Sequence, residues 1–542
     1  MKFYSLIFVL FYVTCLSAQT EKLYVSEVWV ADNGDGTYTN PILYADYSDP
    51  DVVRVGDDYY MTASSFNAAP ALPILHSKDM VNWQLINHAL PEQVPLENFS
   101  IPQHGNGVWA PSIRYHNNEI YIYWGDPDYG IYMVKTKDPY GLWDAPVLVM
   151  PGQGLIDPSP LWDDNGDAYL VHAYAGSRAG VKSLLSVNKM NAEGTKVLDK
   201  GIHVFDGHDH HDTVEGSKFY KRNGYYYIFA PAGGVPTGWQ LILRSKNIYG
   251  PYEEKIVLEQ GSTKINGPHQ GAWVETPQGE SWFYHFQDVD AYGRIVHLQP
   301  MTWENDWPVM GKDFDGNGIG EPVQTHKKPN VGKSYPIVTP FETDNFEGQD
   351  IGLQWQWNAN NDVVWHAKLP GNDYLRLFSI KPKETIPNLW LMPNLLLQKF
   401  PAPSFSASTK ITLVPEEAES GKSAGIIIMG MDYATLSIAN DSKGFYIKQT
   451  ESIDAIHGAS EKIIEEKRLK SNTVFFKVEI TAPNAMCQFS YSENGKKFKD
   501  IGKPFKAKEG KWIGAKVGLF SVSTMDAKRG GYADVAYFKI GK

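Results

Sequence analysis

The sequence predicts an all-β protein of two units, a five-bladed β-propeller followed by a β-sandwich. Three observations predict it. A unit of strands and tight turns repeats five times before residue 310, helical periodicity is almost absent, and residues 338–542 hold further alternating strands.

Each repeat opens on a polar or aromatic residue, runs as a β-like stretch to a turn, and returns as a strand rich in Tyr, Trp or Phe. The first runs from Asp49-Pro50-Asp51-Val52-Val53 through Gly56-Asp57-Asp58 to Tyr59-Tyr60-Met61-Thr62. The second starts at Trp109-Ala110-Pro111-Ser112-Ile113, turns at Asn117-Asn118 and returns as Tyr121-Ile122-Tyr123-Trp124. Asp157-Pro158-Ser159-Pro160-Leu161, Glu215-Gly216-Ser217-Lys218-Phe219 and His269-Gln270-Gly271-Ala272-Trp273 open the other three. The turns carry Asn-Gly, Gly-Asp or Asn-Asn, residues that tolerate the positive φ of tight hairpins. Strand repeats about 50–60 residues long build propeller blades, and five repeats build five. The innermost strands of a propeller line a central channel. This reading therefore gathers Asp49, Trp109, Asp157, Glu215 and His269, as equivalent strand starts, around one funnel.

The repeat ends after Trp303–Trp307, and a loop-rich stretch follows from Asp313 to Ser334. Asp313, Asp315, Asn317 and Gly318 resemble the first half of a calcium loop, but Gln324 stands where its twelfth-position acid is required, so a turn is expected. Beyond it, Ala424–Met429, Val474–Ile480 and Gly531–Ile540 alternate apolar and polar residues, as the strands of a sandwich do. The expected boundaries are a signal peptide at 1–18, the propeller at 19–322, a linker at 323–337 and the sandwich at 338–542.

A net charge of −12 leaves no basic stripe to neutralise phosphates, which argues against a nucleic-acid partner. Lys2, an apolar run from Phe3 to Leu16 and the small residues Ser17-Ala18 read as an export signal, too short to span a bilayer. The protein is expected in the periplasm or outside the cell. Cys15 raises a lipoprotein anchor, for which Tyr12-Val13-Thr14 is a poor match. Cys15 and Cys487 are the only cysteines, so the mature chain holds one thiol and relies on its core. The 16 Trp and 31 Tyr suit β-cores first, and they also suit sugar binding, where an aromatic face packs on a sugar ring.

Three carboxylates at one funnel mouth carry the chemistry. Inverting hydrolysis of an acetal needs a base that activates water and an acid that protonates the leaving oxygen, roughly 6.5–9.5 Å apart. Residues on non-adjacent blades can span such a gap. A third carboxylate near the acid keeps it protonated by like-charge repulsion. Taken singly, Asp49 and Asp157 before proline could be turn initiators and Glu215 a loop residue; their shared place in the repeat joins them. His269 is equally a satisfied structural histidine, and Trp109 is funnel wall or sugar platform.

These motifs resemble glycoside hydrolase family 43, inverting enzymes on a five-bladed propeller, over residues 39–310. Residues 338–542 resemble the concanavalin-like jelly-roll sandwich of its β-xylosidase-like members. Tyr47-Ser48-Asp49-Pro50-Asp51 is the most specific match and implies that Asp49 is the general base. Ile156-Asp157-Pro158-Ser159 implies that Asp157 orients the acid and tunes its pKa, and Val214-Glu215-Gly216-Ser217-Lys218 implies that Glu215 is the general acid. Trp109, Arg294 and Phe66 are the implied substrate contacts. His269 matches a histidine beside a calcium ion in many relatives, so a structural calcium is the one cofactor expected. Ser112 departs from the family, many of whose members carry Asp there. His208, His210 and His211 also lie outside the family pattern, and they read as a metal site, a subsite wall or a solvated loop.

The resemblance implies an exo-acting β-xylosidase releasing xylose from the non-reducing end of a polysaccharide or oligosaccharide. The alternative is an α-L-arabinofuranosidase removing arabinose side chains. A non-catalytic carbohydrate-binding propeller is the remote alternative, since it would tolerate loss of a carboxylate and all three are present. A retaining fructan hydrolase would need an Asn-Asp-Pro-Asn-Gly-like start and a Glu-Cys pair, and the repeats contain neither.

Overall fold

The computed structural model describes residues 23–383, 386–416, 421–523 and 530–542. The expected signal peptide and Cys15 lie outside the described residues. Five four-stranded antiparallel sheets each take their strands in sequence order, the meander of a propeller blade. Their innermost strands are Asp51–Val55, Trp109–His116, Leu155–Trp162, Lys218–Arg222 and His269–Glu275.

Each blade alternates side chains between its two faces, and each face packs on the next blade. Hence every interblade seam has its own apolar cluster. Ile113, Ile122 and Trp124 of the second blade meet Leu72, Ile74 and Leu90 of the first. Tyr59, Met61 and Leu75 of the first blade meet Tyr284, Val296 and Leu298 of the fifth, which closes the ring. The chain ahead of the first blade staples that closure. Thr37–Thr39 pairs with Thr325–Lys327, and Asn40 Oδ1 accepts from the Leu298 backbone N–H at 2.8 Å. The stretch expected to link the domains thus starts as a strand laid on the propeller.

The sandwich stacks two antiparallel sheets. One places Lys516–Ser523 between Leu396–Lys399 and its central strand, Lys422–Met429. The other is built on Phe405–Pro415, paired with Thr473–Thr481 and Gly531–Gly541. Alternate residues such as Ala407, Ile411, Leu413, Val474, Phe476 and Val478 point into the shared core. Residues 23–30 run back to this domain, where the Thr339 backbone N–H donates to Tyr24 O at 2.9 Å. No helix among the described residues is long and apolar enough to cross a membrane.

Candidate active site

The five inner strands begin with the same backbone device. Asp49, Ala110, Asp157, Gly216 and Gln270 all have positive φ, at 56°, 33°, 55°, 63° and 48°. Four of the five are not glycine, in a region non-glycine residues seldom visit, and such strain clusters at functional sites. The device corrects the sequence alignment of the repeats by one residue. Asp49 and Asp157 are structurally equivalent, whereas Trp109, Glu215 and His269 each stand one position earlier in their blades. The fourth blade places glycine at the left-handed position and carries its carboxyl group on the preceding residue. At Gly216 a Cβ would lie 2.7 Å from the Pro231 ring.

Asp49 is buried and held from three sides. Its Oδ2 accepts from Ser64 Oγ at 2.5 Å and Ser48 Oγ at 2.9 Å, and Arg294 Nη1 lies 3.4 Å from Oδ1. Ser64 Oγ also accepts the Ala110 backbone N–H at 2.7 Å, and Arg294 Nη1 donates to Ser48 Oγ at 2.9 Å. The base candidate is thereby tied to the second and fifth blades.

Asp157 is buried. Its Oδ2 accepts the Gly216 backbone N–H at 2.6 Å, and Ser217 Oγ donates to its main-chain oxygen at 2.9 Å. Burial pushes its carboxyl upward, and the charge of Asp49 adds to the rise. Glu215 is half-buried beside it. Burial raises its pKa first, then the negative charges of Asp157 and Asp49, while Arg294 and Lys182 oppose the rise. Two groups pushed upward beside a third carboxylate is the arrangement expected of an acid kept protonated near neutral pH.

Below these residues runs a buried ionic tier. Asp51 Oδ2 accepts from Arg114 Nη1 at 2.6 Å and from the Ile113 N–H at 2.9 Å. Arg114 Nη2 reaches Ser159 Oγ at 2.8 Å, and the fully buried Lys218 ammonium donates to Pro111 O at 2.8 Å. The tier joins four blades directly under the carboxylates.

Aromatic rings wall the mouth. Trp109 lies 6.3 Å from Phe66, ring centre to ring centre, and its indole N–H donates to Gly105 O at 3.0 Å. Trp512, which belongs to the sandwich, also stands 6.3 Å from Trp109. The Arg294 guanidinium sits 5.9 Å from the Trp512 ring and 5.0 Å from Phe286. Trp512 has φ 69° and remains half exposed, as a side chain held out by a tight loop does. The structure therefore brings Asp49, Asp157, Glu215, Trp109, Phe66 and Arg294 together and adds Trp512, which the sequence reading did not single out. Its one local signal is a tryptophan set between Gly510 and Gly514. Ser64 also escaped notice, because a serine in Ala63-Ser64-Ser65 has no distinguishing pattern.

His269 is fully buried, and neither ring nitrogen has a hydrogen-bond partner. Burial and the Arg294 charge push its pKa down to about 3, so it is neutral and able to donate a lone pair. No group of three or more His, Cys, Asp or Glu among the described residues is placed to hold a metal ion. Calcium prefers oxygen ligands; His269 would hold such an ion through an unpartnered ring nitrogen. Ser112 Oγ is likewise buried without a partner. His208, His210 and His211 form no metal-holding group. His208 pairs with Asp206, and His211 accepts the Trp239 indole N–H at 3.3 Å. Asp313 caps its own loop, accepting the N–H groups of Gly316 and Gly318 at 2.8 Å each.

A propeller funnel with three carboxylates and aromatic walls defines a glycosidase, an enzyme that hydrolyses O-glycosyl bonds of a carbohydrate substrate. Residues 38–308 match the model of Glycosyl hydrolases family 43, and 343–541 match that of the Beta xylosidase C-terminal Concanavalin A-like domain. The chain belongs to glycosyl hydrolases family 43. A putative beta-xylosidase of Xylanibacter ruminicola is 39% identical over 506 residues, 92% of this chain and 88% of its own. A non-reducing end alpha-L-arabinofuranosidase of Bacteroides ovatus is 31% identical over 422 residues, 73% of this chain and 74% of its own. The crystal structure of the GH43 protein BlXynB from Bacillus licheniformis superposes with a TM-score of 0.78 at 26% identity, covering 93% of this chain and 99% of that one.

Proposed function

We propose that the protein is an exo-acting, inverting β-xylosidase that removes xylose from the non-reducing end of a xylose-containing saccharide. The observation that carries the reading is the walled mouth. Trp109 of the propeller packs against Phe66 and against Trp512 of the sandwich, and the Trp512 ring also faces the Arg294 guanidinium beside Asp49; a mouth walled from both domains suits a terminal sugar better than the middle of a chain. The beta-xylosidase name of the Xylanibacter relative supports the choice of sugar.

In this reading Asp49 is the general base. Ser48 and Ser64 occupy its Oδ2, so Oδ1 is the oxygen that takes the proton from the attacking water. The hydroxide adds to the anomeric carbon while the bond to the leaving oxygen breaks, and Glu215 delivers its proton to that oxygen. Asp157, fixed on the Gly216 N–H, holds Glu215 in place and protonated. Arg294 and the aromatic walls bind the pentose. A calcium ion on His269 would add positive charge beneath the pocket and no bond chemistry. It is tested by elemental analysis and by the melting temperature after chelation. Export to the periplasm or beyond belongs to the same proposal and rests on residues 1–18.

The Bacteroides relative favours α-L-arabinofuranoside cleavage as the second reading. Hydrolysis of p-nitrophenyl β-D-xylopyranoside and p-nitrophenyl α-L-arabinofuranoside, with Asp49→Asn as control, decides between them. A faster xyloside rate is expected. A dominant arabinoside rate replaces the first reading with the second.

A further inference from the structure

Asp46 stands three residues before Asp49, buried at the seam between propeller and sandwich. Each of its carboxylate oxygens serves a different domain. Oδ1 accepts the backbone N–H of Arg294 at 3.0 Å, and Oδ2 accepts the backbone N–H of Gly514 at 2.9 Å. Gly514 ends the short sandwich loop that carries Trp512. The contact beneath is backbone on backbone. A Cβ on Gly293 would lie 2.7 Å from Gly514 N, and one on Gly514 would lie 2.8 Å from Gly293 N. The Ala515 N–H then donates to Ala291 O at 2.7 Å. The loop is thus fastened to the turn just ahead of Arg294.

The sandwich also brings charge to this seam. Lys399 and Lys516 are directly opposed partners on neighbouring strands, an arrangement in which like charges repel. Burial depresses both ammonium groups, Lys516 to about 7, and the negative charge of Asp46 works against that depression in both. The Lys399 ammonium lies 5.2 Å from the centre of the Tyr47 ring, next in the chain to Asp46. A sandwich face with two buried amines calls for a carboxylate, and the propeller offers one on the strand entry that leads to Asp49.

We propose that Asp46 is a positioning residue, the latch through which the sandwich sets the shape of the active site. Its carboxylate joins the Arg294 backbone to the Gly514 loop and so fixes Trp512 against the sugar pocket. The inference goes beyond the xylosidase reading and rests on it in one respect, that Trp512 is a wall of that pocket.

The test is steady-state kinetics of the full chain on whichever p-nitrophenyl glycoside proves the better substrate. Asn matches Asp in shape, but it accepts at one oxygen only and turns an amide N–H toward the other donor. Asp46→Asn is expected to raise KM about tenfold with kcat within about threefold, the signature of lost binding. In a Trp512→Ala background the same substitution is expected to cost at least about threefold less, because substitutions coupled through one shared loop are not additive. Gly514→Ala keeps the carboxylate and pushes the loop away. It should reproduce the rise in KM even if Asp46→Asn folds poorly. Unchanged KM in both variants, or an Asp46→Asn penalty undiminished in Trp512→Ala, overturns the latch. A wild-type KM in Trp512→Ala alone overturns the pocket wall and the latch together, which separates that failure from the first.

Discussion

Asp157 reaches across from the third blade to the residue after Glu215, its Oδ2 accepting the Gly216 N–H at 2.6 Å. One carboxylate therefore fixes the backbone of the acid and, by its charge, helps push the acid's pKa up. The sign of the pH effect follows. A raised pKa keeps Glu215 protonated toward neutral pH, so removing the Asp157 charge lets the proton leave at lower pH. Asp157→Asn should move the basic limb of the kcat/KM profile down by roughly one unit. An unmoved basic limb would remove Asp157 from this role.

Glu215→Gln keeps the shape and removes the transferable proton. General acid catalysis is worth about 10²–10⁴-fold, so kcat on a natural xylo-oligosaccharide should fall by that order. A nitrophenyl leaving group needs little protonation and should lose much less. NMR of the wild-type reaction on a β-xyloside should show α-xylose as the first-formed product.

Ser64 accepts the Ala110 N–H at 2.7 Å and donates to Asp49 Oδ2 at 2.5 Å, so it aims the base from within its own blade and ties it to the neighbouring one. Ser64→Ala should lower kcat about tenfold, the scale of a hydrogen bond to a charged group, and leave KM within about twofold. Ser64→Thr, which restores the hydroxyl, should recover most of the loss. A Thr variant as impaired as Ala would show that the effect is one of packing.

Away from the site, Glu342 is buried at the seam between the domains, where Ser26 Oγ donates to it at 2.9 Å. Burial raises its pKa to about 7. A carboxylate raised in the folded state holds its proton there but releases it in the unfolded chain. It therefore costs stability as pH rises from about 4.5 to about 7, and the cost stays constant above that. Glu342→Gln should stabilise the protein by about 1–3 kcal/mol at pH 8 and by little at pH 4. Thermal melts at the two pH values read the difference directly.

Much of the architecture was legible because a propeller writes its period into the chain. Each blade repeats one strand-turn-strand unit, and the inner strands at Asp51, Trp109, Leu155, Lys218 and His269 follow the five sequence starts closely. The alignment of those starts was off by one residue because polar character at a strand entry does not show backbone φ. Only the common left-handed turn shows that Asp49 matches Asp157 while Glu215 stands one place ahead of Gly216.

By itself the sequence determined the strand repeats, the carboxylates at their starts and the family, because all are written in local order and spacing. Tertiary structure decided what meets across great sequence distance. Trp512 joins Trp109 and Arg294, Asp46 joins Arg294 to Gly514, and Ser64 joins Asp49 to Ala110. Such contacts leave no period or motif in the chain. They exist only once five blades close into a ring and the sandwich packs on its rim, since the burial that fixes them is shared among segments that no local pattern relates.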